Sequence, residues 1–174
     1  MVTVSQPQRI VAGLLFRGGR LLLGCRPAGR RQAGKWEFPG GKREPGESGP
    51  AALARELAEE LRLAAPPARM RLLFRRRHWY AETGWLELAF YRVESWRGRP
   101  ARVHYRRLRW VSPDRLGRYD LLAADRLALP RLLAAISRAD RISRSGPANG
   151  AKARAGRVAA KDGGKTSRPA AGAR

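Results

Sequence analysis

Cysteine is almost missing from this chain: Cys25 is the single one among 174 residues. One thiol closes no intramolecular disulfide, and a cysteine-based metal site is not expected. Cys25 lies in an apolar run, where a lone thiol behaves as a small core residue. Long hydrophobic runs are missing too. No stretch approaches the roughly 20 apolar residues of a membrane helix, and Met1 to Arg9 is polar, without a signal-peptide core. A reducing cytoplasm and no membrane partner are the expectation. Acids are few, 14 against 37 basic residues, for a formal charge of +23. Lysine is scarce as well, appearing only at Lys35, Lys42, Lys152, Lys161 and Lys165, so the charge is almost all arginine. With many Ala and Gly residues, that reads either as GC-rich codon bias on a solvated surface or as the mark of a polyanionic partner or substrate.

The length favours one domain of ordinary size. Composition changes near Asp140. Residues 141–174 hold nine Lys/Arg and one acid, Asp162, so the segment carries +8, and 23 less 8 leaves +15 on residues 1–140. Ile142 and Val158 are its only large aliphatics, too few to pack a core. The expectation is a folded domain over 1–140 and a disordered basic tail over 141–174, the tail being inert or a non-specific nucleic-acid tether.

Residues 1–140 alternate strand and helix signals. Arg9–Arg17 reads as a strand with Ile10, Ala12, Leu14 and Phe16 on one face. Gly18-Gly19 signals a hairpin into a second strand, Arg20–Gly24. Arg26 to Gly34 is an arginine-rich loop, and Trp36-Glu37-Phe38 is extended before Pro39. Ser48 is the expected N-cap of a helix running to about Leu63. Met70–Trp79 and Trp85–Val93 read as antiparallel strands turning near Glu82-Thr83-Gly84, and Tyr105–Val111 as a further strand. A last helix is expected over Leu127–Ile136, with Pro130 in its first turn. The sum is a mixed sheet with one internal and one terminal helix, an α/β layer arrangement.

The chemistry concentrates in the internal helix. Leu53, Leu57 and Leu61 form an apolar stripe, while Glu56, Glu59 and Glu60, at i, i+3 and i+4, share another sector. Like charges at that spacing destabilise a bare helix. A divalent cation among them turns repulsion into attraction, and carboxylate oxygens suit Mg²⁺ or Mn²⁺.

The segment Gly41 to Leu63 resembles the signature of the Nudix hydrolase family: Gly, five residues, Glu, seven residues, then Arg-Glu-apolar-x-Glu-Glu-x-Gly-apolar. Gly41, Glu47, Arg55, Glu56, Leu57, Glu59, Glu60 and Leu63 match, and Arg62 stands where the pattern has glycine. Trp36 to Lys42 resembles the corresponding run of MutT-like members, and the likeness spans about residues 9–138. The resemblance implies a Nudix fold, a mixed β-sheet sandwiched between helices (α/β/α), and metal-dependent cleavage of a nucleoside triphosphate to monophosphate and pyrophosphate. It implies Glu56, Glu59 and Glu60 as Mg²⁺ (or Mn²⁺) ligands with the Gly40 carbonyl, Glu47 assisting, and Arg55 holding the acids. It also implies a substrate site with Arg26, Arg31, Glu37, Phe38, Pro39, Gly40 and Asp125. Arg26 and Arg31 have a surface reading, Phe38 a core reading, and Asp125 a helix N-cap reading. An ionised Asp125 only accepts hydrogen bonds, favouring a base that presents N–H donors; cytosine analogues and oxidised purines both qualify.

MutT-like members often carry a glutamate in the loop before the strand of Trp110. Here that position falls near His104, which leaves His104, Glu56 or Glu59 as the base or a slow turnover; His104 also has a structural reading, and His78 reads as structural. The leading expectation is an 8-oxo-dGTP diphosphatase-like enzyme of nucleotide-pool sanitation, a monomer or homodimer. The alternatives are a CTP or modified-cytidine triphosphate pyrophosphohydrolase, an RNA 5′ pyrophosphohydrolase, and a non-catalytic nucleotide-binding module.

Overall fold

A computed structural model describes residues 7–81 and 84–144, with residues 139–144 described by their backbone alone. The expected turn residues Glu82-Thr83 and the basic tail from 145 onward lie outside the described residues.

Nine main elements follow one another: β1 (Gln8–Arg17), β2 (Arg20–Cys25), β3 (Trp36–Glu37), β4 (Gly40–Lys42), α1 (Gly49–Leu61), β5 (Met70–Tyr80), β6 (Gly84–Val93), β7 (Arg107–Val111) and α2 (Ala123–Arg144). The strands form one mixed sheet in the order β3-β2-β1-β6-β5, with β4 added to β1 and β7 to β2. β1 runs parallel to β6, pairing Val11 with Ala89, and antiparallel to β4, pairing Ala12 with Gly40.

The sheet separates two apolar cores. Ala12, Leu14, Leu88 and Phe90 pack with Ala124, Ala128, Leu132 and Ile136 of α2. Val11, Leu15, Ala89 and Tyr91 pack with Leu53, Leu57 and Leu61 of α1. The expected α/β/α sandwich is thus the fold, and the leucine stripe of α1 is its anchor. β1 is buried on both faces, which places it at the centre of the sheet. Cys25 is fully buried, in keeping with a small core residue.

The helix ends show where local signals decide. Ser48 caps α1 through its hydroxyl, which accepts from the Ala51 amide at 3.2 Å. Arg62 closes α1 in the left-handed conformation, φ 56° and ψ 38°. Its amide donates to the Ala58 carbonyl and that of Leu63 to Leu57, the hydrogen-bond pattern that a glycine usually completes. The terminal helix departs from expectation. It begins at Ala123 rather than Leu127, so Pro130 lies in its interior, not its first turn. The apolar series Ala124, Ala128, Leu132, Ile136 starts upstream of the proline, and burying it against the sheet outweighs the one backbone bond Pro130 cannot donate. The helix also continues to Arg144, past the composition change at 140.

Candidate active site

The site begins with two glycines. At Gly40, φ is 150°, and an added Cβ would lie 2.1 Å from the Val11 carbonyl oxygen. At Gly41 an added Cβ would lie 2.4 Å from the Glu56 carboxylate. Bare backbone at Gly40 lets β4 lie close against β1, and bare backbone at Gly41 lets α1 press Glu56 against β4.

Glu60 is only 8% exposed. Its Oε2 accepts from the Tyr105 hydroxyl at 2.6 Å and from the Gly40 amide at 3.3 Å. Burial pushes its carboxyl up to about 7, despite the tyrosine bond acting the other way. Glu56 is likewise raised by burial, with Arg55 opposing the shift. Glu59 differs: its side chain is 60% exposed and, among the described residues, its one ion pair is with Arg55 at 3.5 Å. Two of the three predicted acids therefore face the β4 backbone and the third faces solvent. Among the described residues no three His, Cys, Asp or Glu side chains come together as a metal cage.

Arg55 organises these acids. Its guanidinium bonds both oxygens of Glu47 at 3.0 and 3.1 Å, Glu56 at 3.1 Å, Glu59 at 3.5 Å and the Lys42 carbonyl at 2.9 Å. A planar cation serves this bridging geometry better than an ammonium. The bond to Arg55 holds Glu47 below the usual carboxylate range, and Glu47 in turn raises Arg55. Glu47 also accepts from the Glu44 amide, which fixes the loop ahead of α1.

The predicted substrate residues fall into two groups. Arg26 and Arg31 line a cleft of about 170 Å³ together with Gln32, Tyr80, Leu86 and Leu122. Arg26 bonds both oxygens of Glu37, at 2.9 and 2.8 Å, and its Nε donates to the Arg31 carbonyl. Arg31 sits over the Tyr80 ring. Glu37 is raised by burial in spite of Arg26. Phe38, by contrast, is a core residue, edge-on to Phe90. Pro39 is equally buried, and its carbonyl accepts from the Gly13 amide.

Asp125 is 3% exposed and does not line the cleft surface. It is the third residue of α2, and its carboxyl oxygen lies 3.4 Å from the Phe38 amide, so it does not cap its own helix. Burial, then the charge of Glu37, push it up to about 8, against the Phe38 amide. At neutral pH it is a carboxylic acid, which donates as well as accepts. The acceptor-only expectation started from an ionised side chain, the form that burial disfavours.

Two residues at the site carry no sequence signal. Tyr105 reaches Glu60 from the loop before β7, while its neighbour His104 is exposed. Tyr80 walls the cleft and accepts from the Ala124 amide. Aromatic hydroxyls at strand ends match no motif, and only the folded register gives them partners.

A helix that presents paired, desolvated acids to a bare backbone strand, beside a cleft flanked by arginines, defines a hydrolase class suited to anionic substrates. Residues 6–133 match the NUDIX domain family, and the chain belongs to it. A Mycobacterium tuberculosis protein provisionally named 8-oxo-dGTP diphosphatase 2 is 41% identical over 119 residues, 68% of this chain and 83% of that protein. The Escherichia coli CTP pyrophosphohydrolase is 37% identical over 116 residues, 67% of this chain and 84% of the relative. The crystal structure of a MutT NUDIX hydrolase from Burkholderia pseudomallei superposes with a TM-score of 0.65 at 31% identity, covering 73% of this chain and 98% of the other. No helix among the described residues is long and apolar enough to cross a membrane.

Proposed function

We propose that this Nudix hydrolase cleaves nucleoside triphosphates, oxidised deoxynucleotides such as 8-oxo-dGTP foremost, to monophosphate and pyrophosphate. The observation that carries the reading is the pair Glu56 and Glu60, both desolvated against the Gly40-Gly41 backbone and both raised by burial. Carboxylates in that state gain from a hard cation, so the donor chemistry fits Mg²⁺ or Mn²⁺. Glu56, Glu60 and the Gly40 carbonyl would hold it, with Glu59 turning inward from its ion pair with Arg55. When bound, such an ion neutralises phosphoryl charge and lowers the pKa of water.

The chain's own groups then have distinct tasks. Arg55 keeps Glu47, Glu56 and Glu59 from splaying under mutual repulsion. Tyr105 fixes the rotamer of Glu60. Arg26 and Arg31 flank the cleft in which a nucleoside would lie, and Asp125, buried at 3.4 Å from the Phe38 amide, would read a base edge only if substrate binding opens the cleft to it. Hydrolysis takes place within a domain that ends with α2, and the reaction is that of a cytoplasmic nucleotide-pool enzyme.

Purified protein with Mg²⁺ should release pyrophosphate from at least one oxidised, methylated or ordinary (deoxy)nucleoside triphosphate. No release across that panel ends the proposal. Glu60→Gln should remove most turnover while the protein stays folded; full turnover would take Glu60 out of the site. The likeness to the E. coli CTP pyrophosphohydrolase favours a second reading, with CTP or a modified cytidine triphosphate as substrate. Relative kcat/KM for 8-oxo-dGTP and CTP decides between them.

A further inference from the structure

The sheet face that carries α1 is only partly covered. The start of the helix sits over Tyr91, since a Cβ at Gly49 would lie 2.0 Å from the Tyr91 hydroxyl. Beyond that point on the same face, alternation along β6 brings up Glu87 and Trp85. Opposite them on the edge strand β5 stand Arg77 and Trp79, with Arg75 opposite Ala89. Arg9 of β1 pairs with Glu87 from the other side. The result is a side-by-side pair of indoles, each 53% exposed, next to a row of arginines. Among the described residues no ring stacks on either indole, whereas Trp36, Trp96 and Trp110 all have ring or cation partners. The cleft of Arg26 and Tyr80 opens on the opposite face, so these indoles do not belong to it.

We infer that this outer face of the β5–β6 hairpin binds single-stranded polynucleotide, with bases stacked on Trp79 and Trp85 and phosphates on Arg75, Arg77 and Arg9. Exposed aromatics give a sequence-tolerant platform for unstacked bases, and a flanking row of guanidinium groups follows the backbone. Charge selects the occupant. Among the described residues Arg77 has one acidic ion-pair partner, Glu87 at 3.6 Å, and the chain's net charge of +23 favours a polyanion over a second copy of itself. The site is separate from the hydrolytic one and does not depend on it.

The test uses the full chain and labelled dT12 and rU12, with binding read by fluorescence anisotropy at 50 and 200 mM salt. Trp79→Ala/Trp85→Ala should weaken binding by about tenfold or more while the salt slope is kept. Arg75→Gln/Arg77→Gln should flatten the slope by roughly one unit for each phosphate that is no longer neutralised. Both variants retain the basic tail, and both should hydrolyse triphosphates at the wild-type rate, which also reports that they fold. Equal weakening for rU12 and dT12 supports the shared single-strand chemistry. Undiminished binding by the tryptophan variant overturns the inference, because the tail alone then suffices. Equal affinity for a 12-base-pair duplex overturns it too, as does a wild-type dimer in sedimentation that the tryptophan variant abolishes.

Discussion

Replacing Asp125 by Asn probes the interior electrostatics beside the cleft. The carboxyl moves from an ordinary 3.8 to about 8, chiefly through burial. The folded protein therefore keeps a proton that the unfolded chain gives up in acid. With the folded pKa raised, the stabilising contribution is full below the unfolded pKa and is lost as pH rises through the folded one. Within that window stability declines by about 1.4 kcal/mol per pH unit. From pH 5 to 7 the loss is roughly 3 kcal/mol, a large part of the 5–15 kcal/mol typical of a domain. Asn has the shape of the neutral acid and does not titrate. Thermal unfolding of both proteins at pH 5, 6, 7 and 8 should show a melting-temperature difference that grows in favour of Asn by roughly 3–6 °C per pH unit. A difference constant to within a degree would refute the reasoning and return Asp125 to the ionised state. The chemical corollary concerns specificity. A neutral acid presents one donor and one acceptor, as Asn does, so Asp125→Asn should leave the ranking of substrates at pH 7 nearly unchanged.

Three further outcomes are expected. Tyr105→Phe removes the 2.6 Å bond to Glu60 and should lower kcat while His104→Ala leaves it unchanged; the opposite pattern in steady-state assays would make His104 the working residue. Arg62→Gly relieves a left-handed Cβ, a gain of about 1–2 kcal/mol, partly offset by the greater freedom of glycine in the unfolded chain. A net stabilisation of roughly 0.5–1 kcal/mol in urea melts follows, and destabilisation would mean that Arg62 makes a stabilising contact. Chelation should abolish pyrophosphate release and millimolar Mg²⁺ should restore it; activity that survives chelation would remove the ion from the reaction.

Much of this architecture is legible in the chain because it follows from short-range periodicity. The leucines of α1 repeat at four-residue intervals, Ser48 caps them, and β1 alternates about Ile10, Ala12 and Leu14, so element type and burial face agree with expectation. The start of α2 departs from it because Pro130 reads as a start signal, although Ala124 already belongs to the buried stripe. Helical spacing also puts Glu56, Glu59 and Glu60 in one sector without showing that only two of them lie under the sheet edge. Burial of Phe38 and Asp125 depends on how the start of α2 meets the turn after β3, which no local pattern records.

The loop before β7 shows why one register step matters more than a motif. In the bend ahead of β7 His104 is exposed and Tyr105 buried, so only the tyrosine reaches the acids. Tyr105 wins because β2 offers its ring a place at Gly24, where a Cβ would stand 2.4 Å from the ring carbons. The glycine is thus part of the acid site, two strands away from it: Gly24 admits Tyr105, Tyr105 orients Glu60, and Glu60 closes on the Gly40 amide. Gly24→Ala should consequently behave like a stronger form of Tyr105→Phe, displacing the whole phenol rather than its hydroxyl. Its kcat should fall at least as far as that of Tyr105→Phe, whereas wild-type turnover in Gly24→Ala would break the chain of contacts at its first link.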